Sequence, residues 1–100
     1  MIDYKRMWWN LEEEVEKEAE ERYFYFIDTL LANMESSEQF EADGKVLTVH
    51  KLHRSFNCDY GVAWTLLKRH LEELRKEDDY IEIEELCTTM NDIENSLIRW

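Results

Sequence analysis

The chain has 100 residues, 44% of them hydrophobic and 13% aromatic, and a formal net charge of -12. That length holds one domain around one modest core, and the aromatic content excludes a disordered chain although 36% of the residues are charged. The acidity opposes approach to nucleic acid and to anionic membrane surfaces.

Proline is absent and glycine occurs at Gly44 and Gly61 alone, so the residues that punctuate hairpins are nearly missing and an all-α fold is expected. Two cysteines, Cys58 and Cys87, and no basic-then-apolar N-terminal pattern point to a reducing cytoplasm. The most apolar stretch, residues 23–32, is interrupted by Asp28 and too short to span a membrane. Charge is segregated: residues 1–43 carry a net -9, residues 44–76 a net +4 with all three histidines, and residues 77–100 a net -7.

From residue 4 to about residue 35, Tyr4, Trp8, Leu11, Val15, Ala19, Tyr23, Phe26, Leu30 and Met34 recur at helical spacing, with Asp3 placed to cap. Residues 1–35 therefore read as a long amphipathic helix. Straight, it would measure ~48 Å, against a radius of gyration of ~13 Å for a compact chain of this size. It must break near Glu20-Glu21-Arg22, or pair its apolar stripe with a second copy in a homodimer. The aromatic run at 23–27 suits a strand on propensity, but its flanks favour helix.

Residues 36–44, with Ser36, Ser37, Asp43 and Gly44, read as a linker, and no internal repeat is visible. Thr48 is placed to cap a short helix with Val49, Leu52 and Phe56 inward; a turn at Asn57-Cys58-Asp59 precedes a helix carrying Ala63, Leu66, Leu67, Leu71 and Leu74. Residues 45–76 thus form a helix-turn-helix pattern. Residues 79–100 form a last helix with its seam at Ile83, Leu86, Met90, Ile93, Leu97 and Trp100. The expected architecture is a single all-α domain, a helix-turn-helix core flanked by long acidic N- and C-terminal helices.

Leu52 and Phe56 on the first helix, Tyr60 after the turn, Ala63 at the crossing and Leu66-Leu67 beyond it give residues 45–74 a form that resembles the helix-turn-helix of winged-helix DNA-binding domains, in particular the gamma module of the FtsK translocase. The resemblance implies a DNA-binding regulator with Tyr60, Thr65, Lys68 and Arg69 near the groove and Lys45, Lys51 and Arg54 on phosphates. The chain departs from that family at Val62, Trp64 and Thr65, where basic side chains are usual, and at Asp78-Asp79-Tyr80-Ile81-Glu82, where a wing should follow. The alternative is that these cations pair with the acidic helices.

Glu12, Glu13, Glu14, Glu16, Glu20 and Glu21 in the first helix, and Asp78, Asp79 and Glu82 near the last, are spread so that they either imitate the charge of a nucleic-acid backbone or form a solvated face. The opening Met-Ile-Asp-Tyr-Lys-Arg-Met-Trp-Trp-Asn-Leu-Glu-Glu-Glu-Val-Glu and the later Leu-Ala-Asn-Met-Glu-Ser-Ser-Glu resemble the leading helix of small phage and mobile-element proteins of Gram-positive bacteria. That resemblance implies a non-enzymatic inhibitor of anti-CRISPR type, whose partner is a basic host nucleic-acid-binding protein such as a CRISPR effector. DNA is the partner under the helix-turn-helix reading.

Adjacent Trp8 and Trp9 point ~100° apart on a helix, which leaves Trp9 and Trp64 open to either an interface or a core role. His50, His53 and His70 with Cys58 and Cys87 are metal-ligand types without a paired ligand motif, so no metal or cofactor is expected. No nucleophile with its oriented base and no glycine-rich phosphate loop is present, so no enzyme is expected.

Overall fold

In a computed structural model, which describes residues 2–50 and 58–98, the chain runs α1 (Tyr4–Glu18), β1 (Phe24–Phe26), α2 (Ile27–Ala42), α3 (Tyr60–Arg75), β2 (Tyr80–Glu82) and α4 (Ile83–Leu97). The chain is mostly helical, with one two-stranded antiparallel sheet. Asp3 starts α1 as expected, its Oδ1 accepting the Arg6 N–H at 3.0 Å.

The long first helix breaks without glycine or proline. Glu16, Glu18, Glu20 and Glu21 crowd negative charge at a helix C-terminus, the end that disfavours it, and the aromatic run that follows prefers extended backbone. β1 therefore occupies part of the stretch first read as helix. Tyr25 points into the core while Phe24 and Phe26 point out.

The linker expected at 36–44 is helical through Ala42. Its polarity misleads because Glu41 holds a core-facing position, 3% exposed, where Arg6 Nε and Nη2 donate to its two carboxylate oxygens, each at 2.8 Å. Gly44, at φ 80°, ends α2: the Gly44 N–H reaches the Glu41 carbonyl at 3.1 Å and the Lys45 N–H the Phe40 carbonyl at 3.2 Å. This is the paired hydrogen bonding of a Schellman turn.

Residues 45–50 lie across α1 without regular structure, Asn10 Nδ2 donating to the Thr48 carbonyl at 2.9 Å and the His50 N–H to Glu13 Oε2 at 3.0 Å. Thr48 and Val49 are therefore not in a helix. The rest of the expected first helix of the helix-turn-helix, including Leu52 and Phe56, lies outside the described residues.

An internal repeat, invisible in a linear reading, emerges from the fold. Adding 56 to each number carries α1–β1–α2 onto α3–β2–α4. The caps correspond, Asp59 Oδ1 accepting the Val62 N–H as Asp3 accepts that of Arg6. So do Tyr4 and Tyr60, Trp8 and Trp64, Leu11 and Leu67, Ile27 and Ile83, Leu30 and Leu86, and Met34 and Met90. The strands pair about the same pseudo-twofold axis, with Tyr25 opposite Ile81 at its centre. The bonds that close the ladder are symmetry mates: the Ile27 N–H to the Asp79 carbonyl and the Ile83 N–H to the Tyr23 carbonyl, both 2.9 Å. They occupy N–H groups at the start of α2 and α4, which have no side-chain cap.

α1 packs on α3 and α4, and α2 and α4 both pack on α3. Trp8, Leu11, Val15, Leu30 and Met34 are thereby buried against the second half of the same chain. The stripe expected to serve a homodimer is consumed inside the fold, with Tyr23 and Phe26 left outside it.

Candidate functional site

Of the acidic residues singled out above, Glu14, Glu16, Glu20, Glu21, Asp78, Asp79 and Glu82 are exposed. Glu13, Glu14, Glu16 and Glu20 line an open groove of about 560 Å³ between α1 and the segment at Thr48 and His50, together with Asn10 and Lys17. Burial and the neighbouring Glu18 raise the Glu14 carboxyl above its ordinary range. The groove gathers several carboxylates along one side of α1. Glu20 and Glu21 precede β1, and Asp78 and Asp79 precede β2, so strand pairing sets both acidic connections beside one sheet.

Glu12 belongs to a different structure. Trp8 Nε1 donates to Glu12 Oε1 at 2.6 Å and to Glu94 Oε2 at 3.1 Å, and the Tyr60 hydroxyl donates to Glu94 Oε1 at 3.2 Å. Burial, then the hydrogen bond and like charge of Glu94, push the Glu12 carboxyl up to about 8, against the opposing pull of the Trp8 N–H. Glu12 thus holds its proton more tightly than an ordinary carboxyl and is hydrogen-bonded with Glu94 between α1 and α4. It is a structural group, not part of an exposed acidic face. The symmetry mates of this cluster are Trp64, Lys68 and Glu38, and there Lys68 Nζ meets Glu38 Oε2 at 3.1 Å. The second half forms an ion pair where the first sets two carboxyl groups side by side.

The cations expected on DNA are placed as follows. Tyr60 is 5% exposed and held by Glu94, so it is a core residue and not a groove contact. Lys68 is tied to Glu38, and the Thr65 hydroxyl donates to the Gly61 carbonyl at 3.0 Å. Arg69 and Lys45 are exposed, with Lys45 Nζ 5.5 Å from the Phe40 ring. Lys51 and Arg54 lie outside the described residues, as does His53.

Trp64, expected at an interface or in the core, is 1% exposed in the core, and its Nε1 has no hydrogen-bond partner among the described residues. Trp9 is half-buried, edge-on to Tyr60 at 6.1 Å, with Lys5 Nζ 4.7 Å from its ring. It is closer to a core flank than to an open anchor.

Among the described residues no three His, Cys, Asp or Glu side chains converge as metal ligands. The connections at 19–23 and 76–79 carry neither the alternating oxygen ligands nor the central glycine of helix–loop–helix calcium sites. Burial pushes both thiols up, that of Cys58 further under Glu94 and that of Cys87 under Glu16. Thiolate chemistry needs the opposite shift. No helix of the described residues is long and apolar enough to cross a membrane.

Sequence reasoning missed two features. Arg6 and Glu41 were hidden because a charge stood at an apolar period, and the exposed aromatic side of the sheet was hidden by reading residues 23–27 as helix. The run of aromatic and β-branched residues from Tyr23 to Ile27 was the available signal for the second.

Comparison with family models, with curated proteins and with solved structures finds no match.

Proposed function

We propose that the chain is a non-enzymatic inhibitor, of the kind made by phages and mobile elements, that docks its acidic surface onto a basic host nucleic-acid-binding protein such as a CRISPR effector. The observation that carries the reading is the groove lined by Glu13, Glu14, Glu16 and Glu20. Rows of carboxylates on a rigid helix present to a cationic cleft what a phosphate backbone presents, and steer association over about a Debye length, ~8 Å at physiological salt.

The DNA-reading alternative draws less support. Its groove contacts at Tyr60 and Lys68 are engaged inside the fold, and the surround is acidic. Titration into labelled mixed-sequence duplex at low salt separates the two. No binding at micromolar protein is expected; binding that weakens as salt rises would restore the DNA regulator. In parallel, the immobilised chain should retain a nucleic-acid-binding protein from nuclease-treated bacterial lysate, and Glu14→Lys with Glu16→Lys and Glu20→Lys should release it. Retention unchanged by those reversals would remove the groove from the mechanism.

A further inference from the structure

The outer side of the β1–β2 sheet is aromatic and uncovered. Phe24, Phe26 and Tyr80 are 43%, 58% and 49% exposed, and Tyr23 beside them is 91% exposed. The rings are organised: Phe24 stands edge-on to Phe26 at 5.5 Å and to Tyr80 at 5.4 Å. A contiguous aromatic patch on a small chain marks a contact surface. The fourth outward position of the sheet is Glu82, opposite Phe24.

Charge decides what fits there. A cleft of about 560 Å³ opens beside the rings, with Glu82 and Glu84 among its lining residues. Among the described residues its one cation, Arg22, is held by Glu18 at 3.1 Å. Glu82 and Glu84 make no ion pair among the described residues. The exposed connections leading into the strands add Glu20, Glu21, Asp78 and Asp79. Ring faces are electron-rich, so aromatic rings bordered by carboxylates form a cation receptor. A second copy would set this negative rim against its own, and an anionic lipid surface is opposed for the same reason.

We propose that this face docks an arginine-bearing basic segment of a partner protein, one guanidinium lying on the Phe24, Phe26 and Tyr80 cluster and reaching the Glu82 and Glu84 carboxylates. The proposal rests on the reading of a basic partner and names where that partner is gripped. Arginine fits better than lysine because its planar, weakly hydrated head both stacks on rings and pairs bidentately with carboxylate. The seat lies on the pseudo-twofold axis, where the second half supplies Glu82 in place of the first half's Phe26. The repeat is therefore broken at the position that adds charge to the rings.

The test titrates a labelled peptide alternating arginine and glycine, and its lysine counterpart, into the full chain at 0.15 M salt. The variants are Phe26→Thr with Tyr80→Thr, which keep strand propensity at exposed positions, and Glu82→Gln with Glu84→Gln. Circular dichroism and thermal midpoint serve as folding controls. Expected are saturable binding of the arginine peptide, weaker binding of the lysine one, and about tenfold loss in each folded double variant. Glu35→Gln with Glu72→Gln, exposed and lining neither the acidic groove nor the cleft, should change affinity less than about threefold. Equal binding by the folded aromatic variant overturns the proposal while leaving the acidic-groove reading to its lysate test. Failure of the wild-type chain to bind the arginine peptide, or a dimer that Phe26→Thr dissociates, overturns it as well.

Discussion

Breaking the Arg6–Glu41 pair gives the sharpest test of the packing. The Glu41 side chain is 2% exposed and that of Arg6 30%, so Arg6→Met leaves a carboxylate buried with its counter-charge removed. Losing one partner of a buried pair costs ~3–5 kcal/mol; because the arginine end is partly wet, about 3 kcal/mol is expected. Glu41→Leu is milder, since Arg6 can still turn to Asp3, 3.6 Å away, or to water, and should cost about 1 kcal/mol. The symmetry mates of these two positions are Val62 and Leu97, so the second half of the fold carries apolar side chains at both places. Arg6→Met combined with Glu41→Leu should therefore be more stable than Arg6→Met alone, with a coupling of about 2 kcal/mol. Guanidinium unfolding at pH 7, followed through the buried Trp8 and Trp64, measures all four corners of the cycle. Additive losses would refute the claim that Arg6 neutralises a buried Glu41.

Four further outcomes follow from the structure. Glu41 is held below the ordinary carboxylate range, chiefly by its hydrogen bond with Arg6, so its contribution is present above the unfolded value near 4.5 and lost as pH falls through the folded one. Glu12 has the opposite sign: raised to about 8, its contribution is full below 4.5 and lost as pH rises through 8, about 1–2 kcal/mol after solvent screening. Glu12→Gln should therefore flatten the stability profile between pH 5 and 8, whereas an unchanged slope in urea melts would show that Glu12 ionises normally. Trp64→Ala should cost about 3–5 kcal/mol by thermal or urea unfolding and Trp9→Ala less than half as much, and the reverse order would place Trp9 in the core. Gly44→Ala forces a side chain into left-handed backbone and should lose about 1 kcal/mol, measured as a lowered urea midpoint, although a Cβ there meets no atom within 4 Å.

What the sequence determined on its own was local. The cap at Asp3 and the helical seam through Ile83, Leu86 and Met90 follow from side-chain type and period, which act over a few residues, whereas for the first helix they left a break near Glu20 and a paired stripe both open. The exposure of Glu14, Glu16, Glu20 and Glu21 is local too, since carboxylates leave water only when paired. The tertiary structure decided the remainder. A three-residue strand is stable only when another strand 56 positions away completes its ladder, so Phe24–Phe26 is legible as a strand only beside Tyr80–Glu82. Glu41 became buried because Arg6 arrived from another helix, and the Glu12 carboxyl is raised by its burial and then by the Glu94 that α4 brings against it. The repeat itself was hidden because its halves share core positions and caps while their surfaces diverge. The fold depends on the residues that meet at the pseudo-twofold axis, and a linear reading has no means of bringing them together.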